Sequence, residues 1–373
     1  MRALVLFLLL GPMSCAQIML DPARIGQRLR DMESNWNEKP VECTVTPIKP
    51  AMNFSFRIQA GYTLRVPLNQ FQGNGHGWVA VTRITPQEGD RKPIYLGART
   101  PLPDVPKTKV EAEIVGGYLL GEGKYDVKWM MFDDQERACH KEWTIEARLT
   151  PAERKAAVAI PPNTVRPFSL RVAAAAAHDD APPMRVSILM HAAPLSPRRT
   201  HLRASDQLTL ISSLSALMER LPASSVRVVV FNLDQQKELY RRENFTVDGI
   251  QQVWRALNSL ELNLVEYKTL LNRTGHIDML AGLLNQEVHA PQPADAVLLL
   301  GPVTRFVDKP ASGVLEKPAG VPRFFFFEFK PPYQMQASLP DTLAVATNRM
   351  KGKVLVIRTP SDFAKAIQLL EKR

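Results

Sequence analysis

Val226-Arg227-Val228-Val229-Val230-Phe231 holds one polar residue among five apolar ones. A strand with one wet face alternates, whereas a strand covered on both faces reads as a near-continuous apolar run. The run therefore predicts a buried strand of a parallel sheet. Val186 to Met190, upstream, is a second such strand. Between them Leu210, Leu214, Leu217 and Leu221 fall on one helical face, with Ser205 as the expected cap and Pro222 just past the end. Downstream, Ile250, Val253, Trp254 and Leu257 mark a helix, and Leu270 to Leu284 a further helical stretch. Ala296 to Leu300, Arg323 to Phe329 and Val354 to Ile357 read as strands, and Ser361 as the cap of a last helix carrying Phe363, Ile367 and Leu370. Five strands alternating with helices predict a doubly wound, mainly parallel α/β domain over residues 184–373.

The texture ahead of it differs. Over 41–149 short alternating runs are separated by turn residues: Glu42 to Thr46, Phe54 to Gln59, Thr63 to Leu68, Trp78 to Ile84, Pro93 to Leu96, Lys109 to Ile114, Tyr125 to Phe132 and Trp143 to Ala147. Gly73-Asn74-Gly75, Gly116-Gly117, Gly121-Glu122-Gly123 and Asp133-Asp134-Gln135 punctuate them. This spacing predicts an all-β sandwich of immunoglobulin-like type. Residues 150–183 read as a short helix followed by a connector rich in Pro and Ala. The helix opens on a capping box, with Thr150 as cap and Glu153 at the third position. In the segment 17–40, Ile25, Leu29 and Met32 have the spacing of a short amphipathic helix.

Residues 1–16 read as a signal peptide. Arg2 supplies the positive start, Ala3 to Leu10 the apolar core, and Ser14-Cys15-Ala16 the small residues before a cut after Ala16. The rival reading makes Cys15 the lipid-bearing residue of a lipoprotein, for which Pro12-Met13-Ser14 is the poorer lead-in. The apolar run falls far short of the ~20 residues of a spanning helix, and no later stretch reaches that length without charges. The chain is thus expected to be exported, to the periplasm or beyond, and not to span a membrane. Export leaves two cysteines, Cys43 and Cys139, whose pairing an oxidising compartment favours; two free buried thiols are the alternative. The net charge of +10 is spread among acidic residues, which reads first as solvated surface charge; export argues against nucleic acid, and contact with an anionic envelope surface is the further reading.

The order of elements and the closing pattern Asp341-Thr342-Leu343, Gly352-Lys353-Val354 and Pro360-Ser361-Asp362-Phe363-Ala364 resemble von Willebrand factor type A domains. The resemblance is to the form found in exported proteins of Acidobacteria, and covers Met184 to Arg373. It implies a Mg²⁺ site at the carboxyl ends of the strands, built on an Asp-x-Ser-x-Ser turn with a Thr and an Asp from later loops. Hard divalent cations require such anionic oxygen ligands. Here the first turn reads Met190-His191-Ala192-Ala193-Pro194-Leu195-Ser196, and the loop expected to carry the Asp reads Gly301-Pro302-Val303-Thr304. Thr274 is the match for the Thr. Two carboxylates are missing, so no metal and no other cofactor is expected.

Other motifs carry less chemistry. Gly73-Asn74-Gly75-His76-Gly77 lies between strands and reads as a hairpin tip with one exposed His rather than a phosphate cradle. No HExxH or Gly-x-Ser-x-Gly arrangement occurs. The expected function is that of a non-enzymatic binding or scaffold protein of the bacterial envelope, with a protein partner. Its contacts are expected at the loops after the α/β strands, through His191, Ser196, Arg198, Arg199, Thr274, Thr304 and Arg305. The alternative is an envelope enzyme acting on polysaccharide through loop carboxylates such as Asp133 and Asp134.

Overall fold

The structure is a computed structural model that describes residues 17–21, 39–168, 183–196, 199–264, 266–304, 306, 308–311, 313–316, 320–330 and 341–372. The segment read as a signal peptide, with Cys15 and Ala16, the helix expected around Ile25 to Met32, Arg198 and Arg305 lie outside the described residues. The chain divides into two compact units, residues 1–169 and 170–373. The first is β-rich and the second α/β.

The first unit comprises β1 (Ile18–Leu20), β2 (Thr44–Met52), β3 (Ile58–Pro67), β4 (Gly77–Pro86), β5 (Ile94–Pro101), β6 (Glu111–Leu120), β7 (Gly123–Asp133), β8 (Ala138–Ala147), α1 (Pro151–Arg154) and β9 (Val165–Pro167). They form two antiparallel sheets, β1-β5-β4-β7-β8 and β2-β3-β6-β9. Alternate residues of facing strands make the core: Tyr62, Leu64 and Val66 of β3 meet Trp78 of β4 and Trp129 and Met131 of β7. The sheets extend beyond 41–149, since β1 pairs with β5 and β9 with β6. Cys43 and Cys139 are joined by a disulfide, with Cα atoms 6.3 Å apart. It links the residue before β2 in one sheet to β8 in the other. The capping box of α1 is present as expected: Thr150 N–H donates to Glu153 at 2.8 Å, and Glu153 N–H to Thr150 Oγ1 at 3.3 Å.

Two local expectations fail for identifiable reasons. Phe54 to Phe56 is a turn, because Asn53 Oδ1 accepts from the N–H groups of Ser55 and Arg57 at 3.0 and 3.1 Å. Phe56 is fully buried from a left-handed conformation at φ 59°, and the two runs flanking Gly61 are one strand, β3. Gly116-Gly117, expected as a turn, lies inside β6: a Cβ on Gly116 would overlap the Tyr62 ring, so the glycine admits the large side chain of the neighbouring strand.

The second unit comprises β10 (Met184–His191), α2 (Ala204–Arg220), β11 (Ala223–Asn232), β12 (Lys237–Arg242), α3 (Ile250–Asn258), α4 (Tyr267–Leu271), α5 (Gly275–Val288), β13 (Ala296–Pro302), β14 (Arg323–Phe329), α6 (Thr342–Arg349), β15 (Lys353–Ile357) and α7 (Pro360–Glu371). The six-stranded sheet has the order β12-β11-β10-β13-β14-β15 and is parallel except for β12. Helices α5 and α6 cover one face through Leu280, Leu284, Leu343 and Ala346, against Leu189, Val229, Val297 and Phe326. On the other face Phe363 of α7 meets Phe327, with ring centroids 5.9 Å apart. Strand β12, Lys-Glu-Leu-Tyr-Arg-Arg, escapes sequence reading because an edge strand need not be apolar. Two expected caps are also displaced: α2 starts after Arg203, whose N–H donates to Asp206 at 3.0 Å, and α7 is capped by Thr359, not Ser361. The stretch Leu270 to Leu284 is divided at Asn272 to Thr274 into α4 and α5.

Candidate functional site

An open α/β sheet binds where its strand order reverses, in the crevice beyond the carboxyl ends of the strands. Here the reversal lies between β10 and β13. A small cleft at this point is lined by His191, Ala193, Pro194, Asp234, Val303, Thr304 and Phe306. It leaves room for about one water molecule.

His191 ends β10 and is 2% exposed. Its ring lies 5.4 Å from that of Phe231, and neither nitrogen has a hydrogen bond of good geometry. Burial lowers its pKa to about 4, with the nearby Pro302 carbonyl opposing, so the imidazole is neutral at physiological pH. Gly301 lets β13 come this close: a Cβ there would lie 2.7 Å from the His191 carbonyl oxygen. Asn232, at the end of β11, donates from Nδ2 to the Ala192 carbonyl at 2.7 Å and so holds the turn after β10.

Thr304 sits in a second set of ties. Its N–H donates to Asp341 Oδ2 at 2.9 Å, and its hydroxyl donates to the Phe306 carbonyl at 3.0 Å. Asp341 caps α6, accepting from Ala344 N–H at 2.8 Å. Burial pushes its carboxyl up to about 6, with the charge of Glu328 adding to the rise and the two donated N–H bonds opposing. Phe306 stacks on His276, with centroids 3.9 Å apart at 14°, and His276 Nε2 pairs with Asp308 at 3.1 Å. The loop after β13 is therefore held from both sides, by the starts of α5 and α6.

Of the residues expected at the site, the structure brings His191 and Thr304 to the cleft. Thr274 lies at the start of α5, exposed, with its hydroxyl donating to Asp278 at 3.1 Å, and is not among the lining residues. Arg199 N–H donates to Ser196 O at 3.1 Å, the Arg199 guanidinium faces Asp206 at 4.0 Å, and neither Ser196 nor Arg199 is among the lining residues. Asp234, Phe306, His276 and Asp341 are site residues that sequence reading passed over. Asp234 follows the end of β11, so strand-end position was its available signal, and Asp341 is the cap of α6, so its signal was an Asp at a helix start. Among the described residues, no group of three or more His, Cys, Asp or Glu is placed to hold a metal ion.

The carboxylates of the alternative reading have turn roles. Asp133 accepts from Gln135 and Arg137 N–H at 2.9 and 2.8 Å and from Arg137 Nε at 2.6 Å, with its side chain fully buried. Asp134 pairs with His76 Nδ1 at 3.1 Å, while His76 Nε2 meets the Gln72 carbonyl at 3.1 Å. His76 is thus partnered and largely buried, not an exposed hairpin tip. Among the described residues no helix is long and apolar enough to cross a membrane.

No protein-family model matches the chain, and no curated protein matches it. Among solved structures it shows a likeness to a Bordetella pertussis protein described as ApaA, at 15% identity over 30% of this chain and 98% of that one, with a TM-score of 0.21. A second structural-genomics target is similar at 13% identity over 31% of this chain and 90% of its own, with a TM-score of 0.19. Likenesses at these scores carry no argument about fold or function.

Proposed function

We propose that the chain is an exported, non-enzymatic binding or scaffold protein of the bacterial envelope, whose second unit is a von Willebrand factor A-related module with a degenerate metal site. The observation that carries this reading is the lining of the switch-point cleft. A neutral, buried histidine, an alanine, a proline and a valine line it beside Thr304 and a single carboxylate, Asp234, where a divalent cation would need several anionic oxygens. A cleft with room for about one water is too small for a substrate, whereas the rim around it offers a contact face to a protein partner. The disulfide supports an oxidising compartment. The net charge of +10 supports residence near an anionic envelope surface.

The test is crosslinking on native envelopes followed by capture, comparing the wild type with Asp234→Arg, which reverses the charge of a half-buried residue of the cleft lining. A partner captured by the wild type and lost from the variant is expected. Equal capture by both places the contact elsewhere. Calorimetric titration with Mg²⁺ is expected to show no binding at millimolar or tighter affinity, and clear binding would refute the degenerate-site reading.

A further inference from the structure

Asn74 is the one asparagine of the chain that a glycine follows. It stands in the stretch Gly73-Asn74-Gly75-His76-Gly77, just ahead of β4, and the loop is anchored on both sides of the pair. Gly73 exchanges two backbone hydrogen bonds with Val105, at 2.9 and 2.8 Å. The His76 carbonyl accepts from Leu102 N–H at 2.9 Å, and the His76 ring is held by Asp134 and the Gln72 carbonyl. Between these anchors Asn74 and Gly75 are exposed. Among the described residues nothing bonds the Asn74 side-chain amide or the Gly75 N–H.

Gly75 sits at φ 80°, with no atom within 4 Å of where a Cβ would stand. A backbone nitrogen that is solvated, unbonded and unshielded by a side chain of its own can reach the side-chain carbonyl carbon of the residue before it. The two groups belong to neighbouring residues, so the attack is unimolecular. Asn258-Ser259 is the contrasting case, an asparagine also followed by a small residue. There Ser259 N–H donates to the Arg255 carbonyl at 3.0 Å at the end of α3, and Asn258 Oδ1 is buried. The nitrogen that would attack is already tied into the helix end.

We propose that Asn74 is a self-modifying site, which converts without an enzyme, through a cyclic imide, to aspartate and isoaspartate. The Gly75 nitrogen bonds to Asn74 Cγ and the Cγ–Nδ2 bond breaks. Nδ2 leaves as ammonia, with the proton that Gly75 N–H gives up. Water then opens the ring. Attack at Cγ leaves an ordinary aspartate, whereas attack at the main-chain carbonyl carbon leaves isoaspartate, with the chain running through Cγ. Either product lowers the net charge of +10 by one and puts a carboxylate two residues from His76. Isoaspartate also lengthens the main chain by one methylene in a loop whose ends are fixed, which loosens the pairing of Gly73 with Val105. The modification uses neither the switch-point cleft nor the partner proposed for it.

The test holds the chain from Gln17 onward near neutral pH, folded in buffer or unfolded in guanidinium chloride, and samples it over days by peptide mass mapping. Conversion is read as the mass gained when OH replaces NH₂ and as two chromatographic peaks of equal mass. Labelling by an isoaspartate-specific methyltransferase identifies the second product. In the folded chain Asn74 is expected to convert at least about tenfold faster than Asn258. Its rate is expected to rise with pH, because the attacking nitrogen must lose its proton. On unfolding, Asn258 is expected to speed up, while Asn74 changes by less than about threefold. Asn74→Gln, which needs a larger ring, is expected to remove both peaks and so to separate Asn74 from Asn69 in the same peptide. An Asn74 that keeps its amide in the folded chain overturns the proposal, whether or not it converts once unfolded. Equal rates at Asn74 and Asn258 in the folded chain overturn it too.

Discussion

Reducing the Cys43–Cys139 disulfide should cost the β-rich unit a large share of its stability. The two residues are 96 apart in sequence, and the loop they close contains β2 through β7 and the start of β8. In the chain-entropy model the bridge removes 2.1 + 1.5R ln n from the unfolded state, which for this loop is about 16 cal/mol/K, or about 4.7 kcal/mol at 25 °C. A single domain is stable by only about 5 to 15 kcal/mol, so this is a large share. Non-covalent ties also hold the ends: Val41 N–H donates to Ala138 O at 2.9 Å, and Ala138 N–H to Lys39 O at 2.7 Å. These persist in the reduced native state, so reduction acts almost wholly on the unfolded chain. The assay is urea unfolding of the chain from Gln17, oxidised and reduced, with Trp36→Phe and Trp254→Phe in both so that Trp78, Trp129 and Trp143 report on the β-rich unit. The expected outcome is a loss of about 4 to 5 kcal/mol and a larger m-value, because the reduced unfolded chain exposes more surface. Cys43→Ala with Cys139→Ala should behave as the reduced form does. A difference below about 1 kcal/mol would refute the reasoning, since the unfolded chain would then already hold its ends together.

Two buried carboxylates in the α/β unit give further expectations. Asp341 has a folded pKa of about 6, above the unfolded value near 4, so the native state binds its proton more tightly. Its contribution to stability is therefore full below about pH 4 and is lost as pH rises to about 6, up to roughly 3 kcal/mol. Asp341→Asn should remove this slope, and urea titrations at several pH values should show the wild type losing stability relative to the variant over that window; a constant difference would contradict it. Glu287 is buried to 1% and pairs with Arg227 at 2.8 Å, and burial raises its pKa. Arg227→Met strands that carboxylate and should cost about 3 kcal/mol in denaturant unfolding. Adding Glu287→Gln should restore part of the loss, and a double variant no better than the single would show that the pair is not what Arg227 supplies.

The parallel strands β10, β11, β13 and β14 are legible in sequence because burial on both faces writes continuous apolar runs such as Val226 to Phe231. Legible for the same kind of local reason are the passage from β-rich to α/β texture, which follows a change of period, and the capping box at Thr150. The cleft was half legible. His191 and Thr304 stand at strand ends and could be named, whereas Asp341 and His276 reach the loop after β13 from helices 37 and 28 residues away (341 − 304 and 304 − 276), which no local pattern encodes.

What the sequence determined by itself is therefore what short-range chemistry dictates: the apolar periodicity, the caps, and the absence of carboxylates from the turn after β10. Tertiary structure alone decided the rest. It made β3 one strand by letting Asn53 turn Phe56 inward, placed Gly116-Gly117 inside β6 to clear Tyr62, and recruited the polar β12 as an edge. It also made His191 neutral, since its charge state depends on the walls that Phe231 and Pro302 build around it. Burial and partnership are properties of residues far apart in the chain, and only folding brings them into contact.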